Sequence, residues 1–236
     1  MPLIRSVFQD ELDNVSQTLF DLSVMVSDSM ARATKSVMTK DLKMAEEVIT
    51  SDEKIDIVQH DLDARIIDII ARQQPVASDL RALVTALRMS ADLERMGDLA
   101  HHVAKLVRLR HPESAVPAEL LALVEAIGET AEKIATKTGV VISTRDVALA
   151  AQVEKDDDEM DNLHRKLISA LIEPSWSHGV ETAIDLALEN NISTAEGVRH
   201  ILIYANDTSV DMPPLEKWSS LPTPDVSVYG QLGGVL

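Results

Sequence analysis

From Leu12, the apolar residues Val15, Leu19, Leu22, Val26, Met30, Ala33 and Val37 recur in steps of three and four. With about 3.6 residues per turn, that spacing keeps one stripe of a long helix facing a neighbour. A stripe of this kind is stable only when other helices cover it. The chain supplies them, because the same steps return through Leu42, Ala45, Val48, Ile55, Leu62 and Ile66, and through Leu80, Leu83 and Leu87. They continue in Leu120, Leu123, Ile127 and Ile134, and in Val147, Ala150, Val153, Met160, Leu163 and Leu167. Asp41, Ser78 and Asp146 stand where N-caps are wanted, and Pro75 stops the second helix. Aromatic residues are only 3% of the 236, which suits aliphatic helix packing better than sheets. The expected class is all-α.

An internal repeat sets the architecture. DLKMAEEVITSDEKID at 41–56 aligns without a gap on DVALAAQVEKDDDEMD at 146–161, so that Asp41, Ala45, Val48, Asp52 and Asp56 match Asp146, Ala150, Val153, Asp157 and Asp161. Two tandem three-helix bundles follow, divided at the HPESAVP segment, 111–117, with its two prolines. The expected boundaries are 1–112 for the first bundle, 113–212 for the second, and 213–236 for an irregular tail. After Leu188 the polar run ENNIST and the prolines and glycines of PP, PTP and GG interrupt the helical pattern. A short helix over about 195–205 is expected there, so the last helix of the second bundle should be shortened or irregular.

Three acidic pairs carry the chemistry: Asp52 with Asp56, Glu94 with Asp98, and Asp157 with Asp161. A four-residue spacing stacks each pair on one helix face, with Cβ atoms roughly 5–6 Å apart. Two carboxylates so placed repel each other, yet hard or borderline metals take oxygen ligands at that separation. The 52/56 and 94/98 pairs each centre 21 residues from Pro75, so an antiparallel hairpin sets four carboxylates face to face. At roughly 100° per residue, Asp52 and Asp56 flank the apolar line through Ile55, while Glu94 and Asp98 continue the line of Leu80, Leu83, Leu87 and Ala91. A carboxylate on a core stripe is costly unless paired or metal-bound. Arg88 and Arg95 are available partners, so salt-bridged helix flanks remain the plain alternative to a metal site. His101 and His102 follow Asp98 closely enough to complete a site, and His60 and His164 follow the aspartate pairs. A mixed carboxylate and imidazole set suits iron, zinc or manganese.

Charge and motif content exclude other classes. A formal net charge of −17 argues against nucleic acid, which needs clustered Lys and Arg, and against an anionic lipid surface. With no cysteine there is no disulfide framework or thiolate metal site. No run approaches the roughly 18 apolar residues of a spanning helix, so a cytoplasmic protein without direct membrane insertion is expected. Gly-rich phosphate loops, nucleophile elbows and the Glu-x-x-His motif of di-iron bundles are all missing, which argues against catalysis. A bundle-type metal-storage protein or metal-dependent enzyme is the alternative.

SADLERMGDLAHHVAKL at 90–106 resembles the third-helix signature of the PhoU family. That pattern, roughly Asp-Leu-Glu-Arg-Ile-Gly-Asp before an apolar stretch, is met by Asp92, Leu93, Glu94, Arg95, Met96, Gly97 and Asp98. QPVASDLRALVTAL at 74–87, SDEKIDIV and KDDDEMDNLHRKL are similar to the family's neighbouring segments, and the resemblance covers about 8–188. It implies tandem three-helix bundles whose paired E/D-x-x-x-D motifs hold metal clusters. The metal ligands implied are Asp52, Asp56, Glu94, Asp98, Asp157 and Asp161. His102, which stands where the family usually has Asn, is a further candidate. The cofactor implied is a divalent or trivalent metal ion, iron or zinc first. The resemblance also implies a homodimeric, non-enzymatic negative regulator, cytoplasmic and peripheral to membrane complexes. Its partners would be the ATPase of the phosphate ABC transporter and a sensor histidine kinase. The second E-R-x-x-D copy departs from the family: around 194–198 only Glu196 is acidic, with His200 one turn on. Glu196 and His200 are the remaining candidate ligands there.

Overall fold

The computed structural model describes residues 2–173 together with 175–179, 182, 183 and 186. Among them the chain forms five α-helices: α1 (Pro2–Thr39), α2 (Leu42–Gln73), α3 (Ser78–Arg110), α4 (Leu121–Thr144) and α5 (Val147–Leu171), with a 3-10 turn at Ala118–Leu120 before α4. No described helix is long and apolar enough to cross a membrane. The short helix expected over 195–205 and the tail at 213–236 lie outside the described residues.

Turn chemistry explains the breaks. The Asp41 carboxylate accepts the Met44 N–H at 3.0 Å, and Asp146 accepts from Ala148 and Leu149 at 2.8 and 3.1 Å, so each side chain satisfies donors that a helix start leaves open. Gln74 closes α2 in the left-handed region (φ 47°), and its N–H reaches the Ile70 carbonyl. Ser78 departs from expectation: it is the first residue of α3, and Ala77 precedes it without a side-chain cap.

α1 to α3 form one antiparallel bundle, and α4 and α5 form a second hairpin. In α2 the buried line is Ala45, Val48, Asp52, Ile55, Leu62, Ile66 and Ile69. In α3 it is Leu83, Ala86, Ser90, Leu93, Gly97, Ala100, Ala104 and Val107. The α3 line keeps three- and four-residue steps throughout, and the α2 line does so except for one seven-residue step from Ile55 to Leu62; this is the heptad spacing of supercoiled helices. Beyond α5, His178 Nε2 meets Glu119 Oε1 at 2.5 Å, which returns the chain to the foot of α4.

α1 packs on α4 as well as on α2 and α3, so it serves both halves. The buried stripe of α1 is accordingly broad: Ser23, Ser29 and Ser36 lie within it beside Leu19, Leu22, Val26 and Ala33. The Ser23 and Ser36 hydroxyls donate to the carbonyls of Phe20 and Ala33 at 2.6 and 2.7 Å, and a hydroxyl satisfied within its own helix can be buried at little cost.

Candidate metal centre

The site lies on the α2–α3 seam. Gly97 sets how closely these helices approach, because a Cβ there would sit 3.0 Å from Ile55 Cδ1 and 3.8 Å from Asp52 Oδ1. Further along the seam, toward the Pro75 turn, the Ser90 hydroxyl donates to Asp63 Oδ1 at 2.6 Å and holds the two helices in register. In that register, ligand atoms of Asp52, Asp98 and His101 all lie within 4.8 Å of one another, and so do those of Asp56, Glu94 and Asp98. Asp98 belongs to both groups.

The placement of these side chains relative to the core differs from the sequence expectation. Asp52, expected at the flank of α2, is on its core stripe and only 6% exposed. Glu94 and Asp98, expected on the stripe of α3, each follow a stripe residue (Leu93, Gly97) and are half-buried on its flank. Arg88 and Arg95 are exposed and pair with none of these carboxylates among the described residues. The histidine that turns inward is His101. His102 is exposed and belongs to neither group.

The electrostatics are those of carboxylates crowded together on a partly buried seam. Glu94 is raised above the ordinary carboxyl value by burial, then by the carboxylates of Asp98, Asp56 and Asp52 and a hydrogen bond with Asp98. Asp56 lies at the exposed rim, yet desolvation of its carboxyl, with Asp52 and Asp98 alongside, raises it too. His101 Nδ1 is hydrogen-bonded to Asp52 Oδ2. The other two polar atoms of that pair, Asp52 Oδ1 and His101 Nε2, are buried without a hydrogen-bond partner among the described residues. Crowded carboxylates and a buried carboxylate oxygen without a partner, Asp52 Oδ1, are both costly, and a cation relieves both. The donor set therefore fits a metal ion.

The second half is built differently. Asp157 stands where Asp52 stands in the first half, is half-buried, and has Oδ1 buried without a partner among the described residues. Its pKa is pushed up to about 6 by burial, then by Asp161, Asp158 and Glu154. Asp161 is exposed. Among the described residues, Asp157 and Asp161 join no group of three ligands, and Glu196 and His200 lie outside the described residues. The neighbouring Asp156 was not anticipated. It is 7% exposed and bonded to Lys133 at 2.8 Å and Lys137 at 2.6 Å. Burial pushes its carboxyl up, but the two ammonium groups outweigh this and hold it below the usual range. Its repeat counterpart is Ser51, so nothing in the alignment of the two halves marks it.

The chain is similar to known proteins in sequence and in fold. The chain is 38% identical over 185 residues to the phosphate-specific transport system accessory protein PhoU homolog 2 of Mycobacterium tuberculosis, covering 78% of this chain and 87% of that protein. It is 39% identical over 185 residues to PhoU homolog 1 of Mycobacterium leprae, covering 78% and 83%. In fold it is similar to the crystal structure of the phosphate transport system regulatory protein PhoU from Streptococcus pneumoniae, with a TM-score of 0.70 and 21% identity over 88% of this chain and all of that one. PhoU from Pseudomonas aeruginosa gives a TM-score of 0.69 and 23% identity over 85% and 96%. The PhoU domain matches the chain twice, over 19–107 and 124–201. The first match contains the carboxylate cluster, the second runs past 188 to include Glu196 and His200, and this chain belongs to the PhoU family.

Proposed function

We propose that the protein is an accessory regulator of phosphate-specific transport that works by contact and carries metal on its α2–α3 seam. The observation that supports the metal is the meeting of Asp52, Asp56, Glu94, Asp98 and His101, with the buried Asp52 Oδ1 left without a hydrogen-bond partner among the described residues. Bound there, a metal would supply positive charge that draws the facing carboxylates together. Asp52, Glu94 and Asp98 would hold it from the seam and Asp56 from the rim. The regulatory role is carried over from the accessory proteins that the chain resembles over most of their length. In this reading the chain sits at the cytoplasmic side of the membrane as a homodimer. It links the transporter ATPase to a sensor histidine kinase and keeps phosphate-responsive genes repressed when phosphate is plentiful.

Two measurements test the two parts. A deletion strain grown in high phosphate should express its phosphate-uptake genes constitutively, and normal repression would remove the regulatory reading. Protein purified without chelator should contain metal that the double variant Glu94→Gln, Asp98→Asn lacks, with helix content nearly unchanged. Neutral amides keep the shape of the carboxylates but are poor ligands. Equal metal content in the variant would reject the site.

A further inference from the structure

We propose that the end of the first bundle where α1 turns into α2 and α3 stops is a docking surface for an anionic lipid bilayer. Such a contact goes beyond the regulatory reading above, which calls on protein partners alone.

The net charge of −17 is unevenly spread. Segments 35–43 and 105–111 carry Lys35, Lys40, Lys43, Lys105, Arg108 and Arg110 against one carboxylate, Asp41. The fold brings these segments together. Ser90 meets Asp63 across the antiparallel α2–α3 pair, and counting from that contact sets Lys43 level with Arg110. Arg32 of α1 bonds Glu47 of α2 at 2.7 Å, and Lys35 stands one turn nearer the end. Asp41 is occupied as the N-cap of α2, and Glu47 as the partner of Arg32 and Lys43. Lys35, Lys40, Lys105 and Arg108 are exposed and have no ion-pair partner among the described residues.

Fold stability explains only part of this pattern. Arg108 and Arg110 complement the negative end of the α3 dipole. Lys43 stands in the first turn of α2, where the dipole disfavours a cation. Lys40 takes the left-handed conformation (φ 56°) that suits glycine. Between Arg108 and Arg110, Leu109 is 72% exposed.

An anionic bilayer accounts for all of them. A protein interface of standard size covers roughly 1,200–2,000 Å² around an apolar centre, and this basic patch offers one large exposed apolar side chain. A bilayer needs no fitted shape. One side chain entering the headgroup boundary adds to the attraction of each nearby Lys or Arg for anionic lipid. The whole-chain charge opposes such a contact, but attraction is decided locally. Asp52 and Asp98 lie about ten residues from this end, roughly 15 Å along their helices. A Debye length of about 8 Å screens their repulsion. The neighbouring end of the second half carries Glu113, Glu119 and Glu173 instead, which confines the contact to the first bundle.

The test is co-sedimentation of the full chain with vesicles, in chelator so that no cation bridges carboxylates to lipid. Vesicles of phosphatidylcholine with about one third phosphatidylglycerol should bind the protein at low salt and release it as salt rises. Pure phosphatidylcholine should not bind it. Lys40→Gln with Lys43→Gln should weaken binding about ten- to thirtyfold, at about fivefold per cation. Arg65→Gln with Lys155→Gln removes the same charge from exposed positions elsewhere and should change binding by less than about twofold. Leu109→Gln, at constant charge, should weaken binding several-fold, and the indole of Leu109→Trp should shift its emission to the blue on the anionic vesicles alone. Helix content and melting temperature report whether each variant folds. Equal binding to both kinds of vesicle, or equal losses in the two double variants, would overturn the proposal. Binding to polyglutamate but not to anionic vesicles would also overturn it and assign the basic end to an acidic protein. None of these outcomes bears on the metal or on the control of phosphate-responsive genes, so the reading above stands or falls separately.

Discussion

Asp52 and Asp157 hold equivalent places in the repeat, but their settings diverge. Asp52 has His101 as a hydrogen-bond partner. Asp157 faces the carboxylates of Asp161, Asp158 and Glu154, and its pKa climbs to about 6. A carboxyl raised in the folded state contributes stability at low pH, and loses it as the pH rises through the folded value. For Asp157 the loss falls between about pH 4, the unfolded value, and about pH 6. Two units correspond to at most about 3 kcal/mol, and screening at this half-buried position reduces that to on the order of 1 kcal/mol. With chelator present, Asp157→Asn should therefore raise the melting temperature at pH 7.5 and leave it unchanged at pH 4. A pH-independent difference would show that the gain has another origin. Measured from Ile55 alone at roughly 100° per residue, Asp52 falls on the flank. A core stripe alternates four- and three-residue steps about its centre line, and Asp52, four residues after Val48 and three before Ile55, shares that stripe with both.

Helix by helix, small residues determine what packs where. α1 and α4 run antiparallel in close contact: Thr34 lies against Gly128, Ser27 Oγ meets Thr136 Oγ1 at 2.7 Å, and Ser23 and Phe20 lie against Gly139. A Cβ on Gly128 would fall 2.0 Å from Thr34 Oγ1 and 2.8 Å from Thr34 Cβ. A Cβ on Gly139 would fall 2.3 Å from Ser23 Oγ but 3.4 Å from Ser23 Cβ. Alanine is favoured over glycine within a helix by up to about 1 kcal/mol, so a loss at either position would come from overpacking. Gly128→Ala should destabilise by about 1–3 kcal/mol. Gly139→Ala should cost less, and Ser23→Ala in the same chain should remove that cost, since only the hydroxyl obstructs. Denaturant midpoints of the single and double variants measure both effects, and a stabilising Gly128→Ala would contradict the packing. The α3 stripe has the same character. The large residues Leu80, Leu83 and Leu87 drew the expected line, but the buried one passes through Ser90, Gly97, Ala100 and Ala104. Small residues carry little hydropathic signal and gain burial from what approaches them.

For the whole molecule, a net charge of −17 and a crowded carboxylate seam mean that cation binding should show as stability. A ligand at a hundred times its Kd stabilises the folded state by about 2.7 kcal/mol. For a chain of this size, each kcal/mol shifts the melting temperature by about 2–4 °C, so saturating metal should raise it by roughly 5–10 °C. Sodium chloride at matched ionic strength should do much less, since it only screens. The Glu94→Gln, Asp98→Asn variant should melt higher than wild type in chelator, through relieved repulsion, and respond little to metal. A metal-induced rise preserved in that variant would place the stabilising cation elsewhere.

The helices, the N-caps at Asp41 and Asp146, the stop at Pro75, and the facing of 52/56 with 94/98 were legible in the residues themselves. Periodicity and capping act within a few residues, and a hairpin of two straight helices has a register counted from its turn. The heptad phase that buries Asp52, the choice of His101 over His102, the Asp156 ion pairs with Lys133 and Lys137, and the glycine joint between α1 and α4 were decided by the tertiary structure. Each depends on which neighbouring helix lies across the contact and how closely it approaches, and no local spacing in the chain encodes that distance.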